Sequence, residues 1–181
     1  NHFETAIELF EEIGHKKGIV TIFKNMAWVN YYDGELYKAR RNCLHALREN
    51  ISMSDREGET EVLLLLGKIE LEDQKPTVAI EYLTEALLIA QKIDSKKLIK
   101  DASESLYLAY TELEDYKNAN RYLQFYTSIK DSLLSREKVR TIARLNANYA
   151  LAKRKSDLDH KNQEIDLLEH AQSLQNQRSV A

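Results

Sequence analysis

The chain has 181 residues, with 26 Lys and Arg against 29 Asp and Glu, for a net charge of −3. That length fits about one domain, and the lack of a basic surplus excludes nucleic acid as the main partner. Five Gly and a single Pro, none of either beyond Pro76, leave few turn residues and predict helix almost throughout.

Taken in chain order, the pattern is a row of helices. The first covers residues 1–13. Others follow at 16–32, 35–53, 56–73, 76–93, 96–113 and 116–133, and a last, much longer one starts near Arg136. Ser54 with Glu57 three residues on reads as a capping box before the fourth helix. Pro76 suits the first turn of the fifth, where its missing N–H costs nothing. Asp33-Gly34 and Glu114-Asp115 read as tight connections between antiparallel neighbours.

The same side chains return every forty positions without a gap. Ala6, Ala46 and Ala86 share a register with Tyr126, and Phe3, Cys43, Leu83 and Leu123 share another. Ile22, Val62, Ala102 and Ile142 match, as do Ile13, Met53, Ile93 and Leu133. Polar turn positions match too: His15, Asp55, Ser95 and Ser135. Ala39, Ala79 and Ala119, with Ala27 and Gly67, are small where two helices of a pair are expected to cross closely. A single pair cannot bury its own apolar surface, so such units are stable only when stacked.

These units resemble tetratricopeptide repeats. Leu63-x2-Leu66-Gly67 followed by Ala79-x3-Leu83-x2-Ala86 is similar to that family's pattern, as is Leu106-x3-Tyr110 followed by Asp115-Tyr116-x2-Ala119. The forty-residue period resembles the longer-repeat branch of the family, against the usual ~34. The resemblance implies an all-α fold: an α-α superhelix, a solenoid of antiparallel helix pairs, over residues 1–152. A polar helical extension over 153–181 follows. In it Leu158, Ile165 and Gln172 fall seven apart, with Leu168 and Gln175 on the same stripe. This is a thin heptad seam that reads either as a solvated helix or as a coiled-coil linker joining two copies into a homodimer.

The layout also resembles the sensory regions of signalling proteins of Bacteroidetes-type bacteria. In these, repeats ending in a phrase like Tyr126-Thr127-Ser128-Ile129-Lys130-Asp131-Ser132-Leu133 lead into a charged helix, a membrane span, and a histidine kinase or helix-turn-helix output module. That resemblance implies the periplasmic side of a membrane-anchored sensor, with the cytoplasm as the alternative compartment. The chain starts at Asn1 without Met, inside a helix, and is read as an excised piece. Any membrane attachment would come from segments outside it, since no run here approaches the ~20 apolar residues of a span. A freestanding scaffold for complex assembly and a phosphorelay regulator that binds a response regulator are the alternatives.

Nothing in the sequence points to catalysis, a cofactor or a metal. His2, His15, His45, His160 and His170 lack ligand spacing with a Cys or carboxylate partner. Gly14 and Gly18 stand alone rather than in a phosphate loop. Cys43, the single cysteine, lies on an apolar helix face and reads as a small buried hydrophobe.

Binding of a protein or peptide is the expected activity. The resemblance implies a concave groove lined by the first helix of each pair. In this register those positions are Lys24, Trp28, Tyr31 and Tyr32, then Glu61, Leu64, Lys68 and Leu71, then Asp101, Glu104, Leu108 and Thr111. Trp28 with Tyr31 and Tyr32 beside a lysine is the composition of a binding anchor, and core packing is the competing reading of Trp28. The family's carboxylate clamp wants Lys and Asn across neighbouring helices. Only Arg144 and Asn148 reproduce half of it. Glu61, Asp101 and Glu104 predict tolerance for a basic or neutral segment.

Overall fold

The computed structural model describes the backbone of residues 2–180, and the side chains apart from those of 2, 4, 157 and 163–180. Seven helices occupy it: α1 (His2–Glu12), α2 (Lys16–Tyr32), α3 (Leu36–Ser52), α4 (Arg56–Glu72), α5 (Pro76–Lys92), α6 (Lys96–Glu112) and α7 (Tyr116–Val180). No strand occurs among the described residues. The chain forms two compact units, residues 1–133 and 134–181.

Within the first unit the chain keeps a strict beat. Each of α2 to α6 is 17 residues long, and each connection holds one residue of positive φ. These are Gly14, Gly34, Ser54, Gln74, Asp94 and Glu114, with φ between 51° and 76°, spaced twenty apart. Each closes its helix in the same way. The left-handed residue's N–H bonds back three residues and the next N–H bonds back five, as in Ser54 N to the Ile51 carbonyl (3.0 Å) and Asp55 N to the Asn50 carbonyl (2.9 Å). This double bond pattern satisfies carbonyls that the helix end would otherwise strand.

The capping box expected at Ser54 does not form. Ser54 supplies the left-handed turn of α3, and Asp55 caps α4 by accepting from the Gly58 N–H at 2.9 Å. Pro76 does open its helix at the first turn.

Consecutive helices pack as antiparallel neighbours around two apolar clusters. One joins α2, α3 and α4 through Ala27, Ala39, Cys43, Leu65 and Leu66. The other joins α4, α5, α6 and the start of α7 through Leu63, Leu83, Leu98 and Leu106. Leu47 and Tyr82 pack against both, so the two clusters share a wall. Ala39 and Ala79 are fully buried. A β-carbon on Gly67 would lie 2.5 Å from the Leu83 side chain, which explains why the closest approach uses the residue without one. Cys43 is buried, and burial pushes its thiol up to about 12, so it stays protonated and acts as a small hydrophobe.

Polar contacts fix the α3–α4 pair. Arg40 donates through Nε and Nη2 to both carboxylate oxygens of Glu70, at 2.5 and 3.0 Å, and through Nη2 to Asp73 at 2.7 Å. Glu70 is 3% exposed, so this fork is what makes its buried charge tolerable.

The break expected between residues 133 and 136 is absent. Position 134 falls on the beat of left-handed residues, yet α7 runs through it as one helix of 65 residues. Leu occupies it in place of Gly or a polar residue, and a bulky side chain disfavours positive φ. In the second unit Ile142, which shares the register of the buried Val62 and Ala102, is exposed, as are Leu145, Tyr149 and Ala152. Leu158 of the heptad seam is exposed as well. Ile165, Leu168, Gln172 and Gln175 lie outside the described side chains.

Candidate functional site

Helices α2, α4 and α6 lie side by side in the first unit and present their polar positions to one face. Six of the twelve groove candidates converge there. Lys24 and Trp28 of α2, Glu61, Leu64 and Lys68 of α4, and Asp101 of α6 line one cavity of about 300 Å³. Leu65, Lys97 and Leu98, which sequence reasoning did not pick, complete its wall. Lys97 could have been found from the register, since it follows Lys17 and Glu57 at the forty-residue spacing. Leu65 and Leu98 read as plain core and could not.

The floor of this cavity is apolar. Leu64 is 7% exposed and Leu65 and Leu98 are fully or nearly buried. Trp28 is half-buried. Part of it packs against the α2–α4 core. Its ring also stacks with Tyr32 at 5.7 Å and meets Tyr31 edge-on at 5.9 Å. Lys68 reaches across from α4, its Nζ 5.6 Å from the indole centroid, within the range where a cation is drawn to a ring face. Tyr32 is 77% exposed. Tyr31 is partly buried, and that burial, helped by Glu72 and Tyr32, raises its hydroxyl above the usual phenol range.

The carboxylates of the site are already engaged. Lys24 Nζ donates to Glu61 Oε2 at 2.5 Å, bridging α2 and α4. Lys100 and Asp101 pair at 2.9 Å, and hydrogen bonding to Asp101 raises the Lys100 ammonium above its ordinary range, with Glu104 adding to the effect. A second cavity of about 280 Å³ lies on the other side of the Lys24–Glu61 pair, lined also by Lys17, Thr21, Asn50, Asp55 and Glu57.

The remaining candidates lie outside the cavity's lining. Leu71 is half-buried and packs against the second core cluster. Leu108 and Thr111 are exposed and Glu104 half-buried, further along α6. Arg144 and Asn148 are exposed residues of the second unit. No group of three or more His, Cys, Asp and Glu side chains that could hold a metal occurs among the described residues. No helix among them is long and apolar enough to cross a membrane.

The cavity and its edge make one surface of mixed character. It offers an aromatic and aliphatic floor, long cationic stems above it, and hydrogen-bonding groups at the rim. No family model matches the chain, and no curated protein matches it. Among solved structures it is similar to the tetratricopeptide-repeat domain of Arabidopsis FLU. That likeness has a TM-score of 0.62 at 23% identity and covers 65% of this chain and 98% of that one. The fold is a tetratricopeptide-like solenoid of helix pairs with a long C-terminal helix.

Proposed function

We propose that residues 1–133 form a non-enzymatic module that binds a protein or peptide segment across the α2–α4–α6 face. The observation that carries this reading is the cavity under Trp28. Three successive first helices contribute to it, it has an apolar floor, and an aromatic cluster stands at its edge. Enriched aromatic anchors beside a pocket are the usual carriers of binding energy. The FLU domain supports the choice of class, since the similar fold there belongs to a repeat domain.

The finer proposal is that the module is the sensory region of a bacterial signal-transduction protein, on the periplasmic side of its membrane. The phrase Tyr126 to Leu133 leading into a charged helix supports it. The continuous α7 joins a repeat helix to the C-terminal region without a break in helical backbone. A ligand that orders the stacked pairs would bias that element.

Selection of displayed random heptapeptides on the intact chain tests the binding reading, with the Trp28→Ala variant as counter-target after its helicity is checked by circular dichroism. Peptides that bind the wild type and lose at least ~10-fold on the variant are expected, the size of a binding hot spot. Enrichment of none, or of peptides indifferent to Trp28, sinks it.

A further inference from the structure

The charges around the Trp28 cavity divide into satisfied and unsatisfied ones, and the division favours one kind of ligand. Resting on the groove reading above, we infer that this cavity takes an acidic segment: an apolar side chain on the Trp28–Leu64–Leu98 floor, with a neighbouring side-chain carboxylate between Lys68 and Lys97.

The two acidic groups of the lining are neutralised within the protein. Glu61 is held by Lys24 at 2.5 Å and Asp101 by Lys100 at 2.9 Å. No carboxylate partners Lys68 or Lys97 among the described residues. Lys68 is held only over the Trp28 ring, and an ammonium in that position keeps its donors free for a second acceptor. Lys97 is exposed at the cavity mouth. The charge a ligand meets is therefore positive, the reverse of what Glu61, Asp101 and Glu104 imply when counted along the sequence. A basic segment would have to displace Lys24 or Lys100 from an existing ion pair. An acidic one gains two ammonium partners without breaking any contact.

The apolar floor sets the second requirement. Leu64, Leu65 and Leu98 with one face of the indole offer no hydrogen-bond partner, so a wholly polar acidic segment would leave them wet. Burial of one leucine-sized side chain supplies affinity, and the carboxylate supplies selectivity and association rate.

Three capped, fluorescein-labelled pentapeptides test this: Leu at positions two and four, with Glu, Gln or Lys at the other three. Binding to the intact chain is followed by anisotropy and by Trp28 fluorescence at low and at 0.5 M salt. The Glu peptide should bind about tenfold tighter than the Gln peptide at low salt, and the Lys peptide weakest, as expected for two partly exposed ion pairs. The advantage should shrink at high salt. In the Lys68→Gln/Lys97→Gln double variant the Glu peptide should lose its roughly tenfold advantage over the Gln peptide. If all three bind alike with a Trp28 response, the acidic inference is overturned and the groove stands. If none binds at millimolar concentration, both are overturned. An advantage seen only when the C-terminal amide is replaced by a free carboxylate would also overturn it, because the end of the chain and not a side chain would then be read.

Discussion

At the α3–α4 turn, Asn50 and Gly58 make one coupled unit, and mutating both tests how these repeats stack. Asn50 is 1% exposed, and neither its Oδ1 nor its Nδ2 has a hydrogen-bond partner in the protein. A β-carbon on Gly58 would lie 2.7 Å from Oδ1 and 3.0 Å from Nδ2. The register shows two solutions to this contact. In the preceding unit Phe10 faces Gly18, where a β-carbon would come within 2.8 Å of the ring. In the following unit the large residue changes sides, and Ala90 and Leu98 are buried in one cluster. Asn50→Ala/Gly58→Ala converts the middle turn toward the third.

The expected sizes follow from those distances. Gly58→Ala alone gains about 0.5 kcal/mol of helix propensity near a helix end. It forces a buried amide to move, at about 1–2 kcal/mol, and should destabilise by about 1 kcal/mol. Asn50→Ala alone removes two unsatisfied polar atoms, relieving about 1–3 kcal/mol, and leaves a void costing a comparable amount. In the double variant the new methyl group fills part of that void, so it should exceed the wild type by about 1 kcal/mol, with a favourable coupling of about 2 kcal/mol against the two single variants. Urea unfolding, followed by far-ultraviolet circular dichroism and by fluorescence of Trp28, the single tryptophan, measures all four species. Additivity within about 0.3 kcal/mol, or a double variant less stable than the wild type, refutes the steric account.

Three further predictions concern backbone and charge. Gln74 is exposed with φ 57°. Gln74→Gly should relieve about 1–2 kcal/mol of left-handed strain against about 0.5–1 kcal/mol of added unfolded-state entropy, for a small net gain in urea midpoint. Gln74→Ala keeps the β-carbon and should gain nothing. Arg40→Ala leaves the Glu70 carboxylate buried without its fork and should cost about 2 kcal/mol, below the loss for a fully buried pair because part of Arg40 reaches water. Acid should weaken the fold through Asp73. Hydrogen bonds from Lys75 and then Arg40 hold its carboxyl below the usual range, so its contribution is present above about pH 4, the unfolded value, and is lost as pH falls through the lower folded one. Lys75→Ala should flatten that acid limb, and an unchanged limb would reject the assignment.

Much of the fold was legible because its information is periodic. Ala39 and Ala79, Val62 and Ala102, Asp55 and Ser95 repeat at fixed spacing, and a solenoid makes spacing in sequence equal to spacing in space. The limits of the first six helices came out within a residue or two for the same reason, since Gly14 and Gly34 punctuate the same beat as Ser54 and Gln74. The site was half legible. Register placed Lys24, Trp28, Glu61, Leu64, Lys68 and Asp101 on one face. It could not tell Leu71, half-buried against the core, from Leu108, left exposed, because both sit one turn further along the same side of their helices.

The sequence alone determined the class of architecture, the forty-residue unit, the crossing points at small residues and the buried state of Cys43. These follow from helical periodicity and side-chain volume, which are local or strictly repeated. The tertiary structure alone decided three other matters. Ser54 turns the chain while Asp55 caps, because one backbone conformation cannot serve both helix ends. Helix α7 passes straight through Leu134, where a left-handed φ is costly for a bulky side chain. And the two carboxylates of the cavity lining, Glu61 and Asp101, are paired with Lys24 and Lys100, because net charge at a surface depends on which groups touch and not on how many a segment contains.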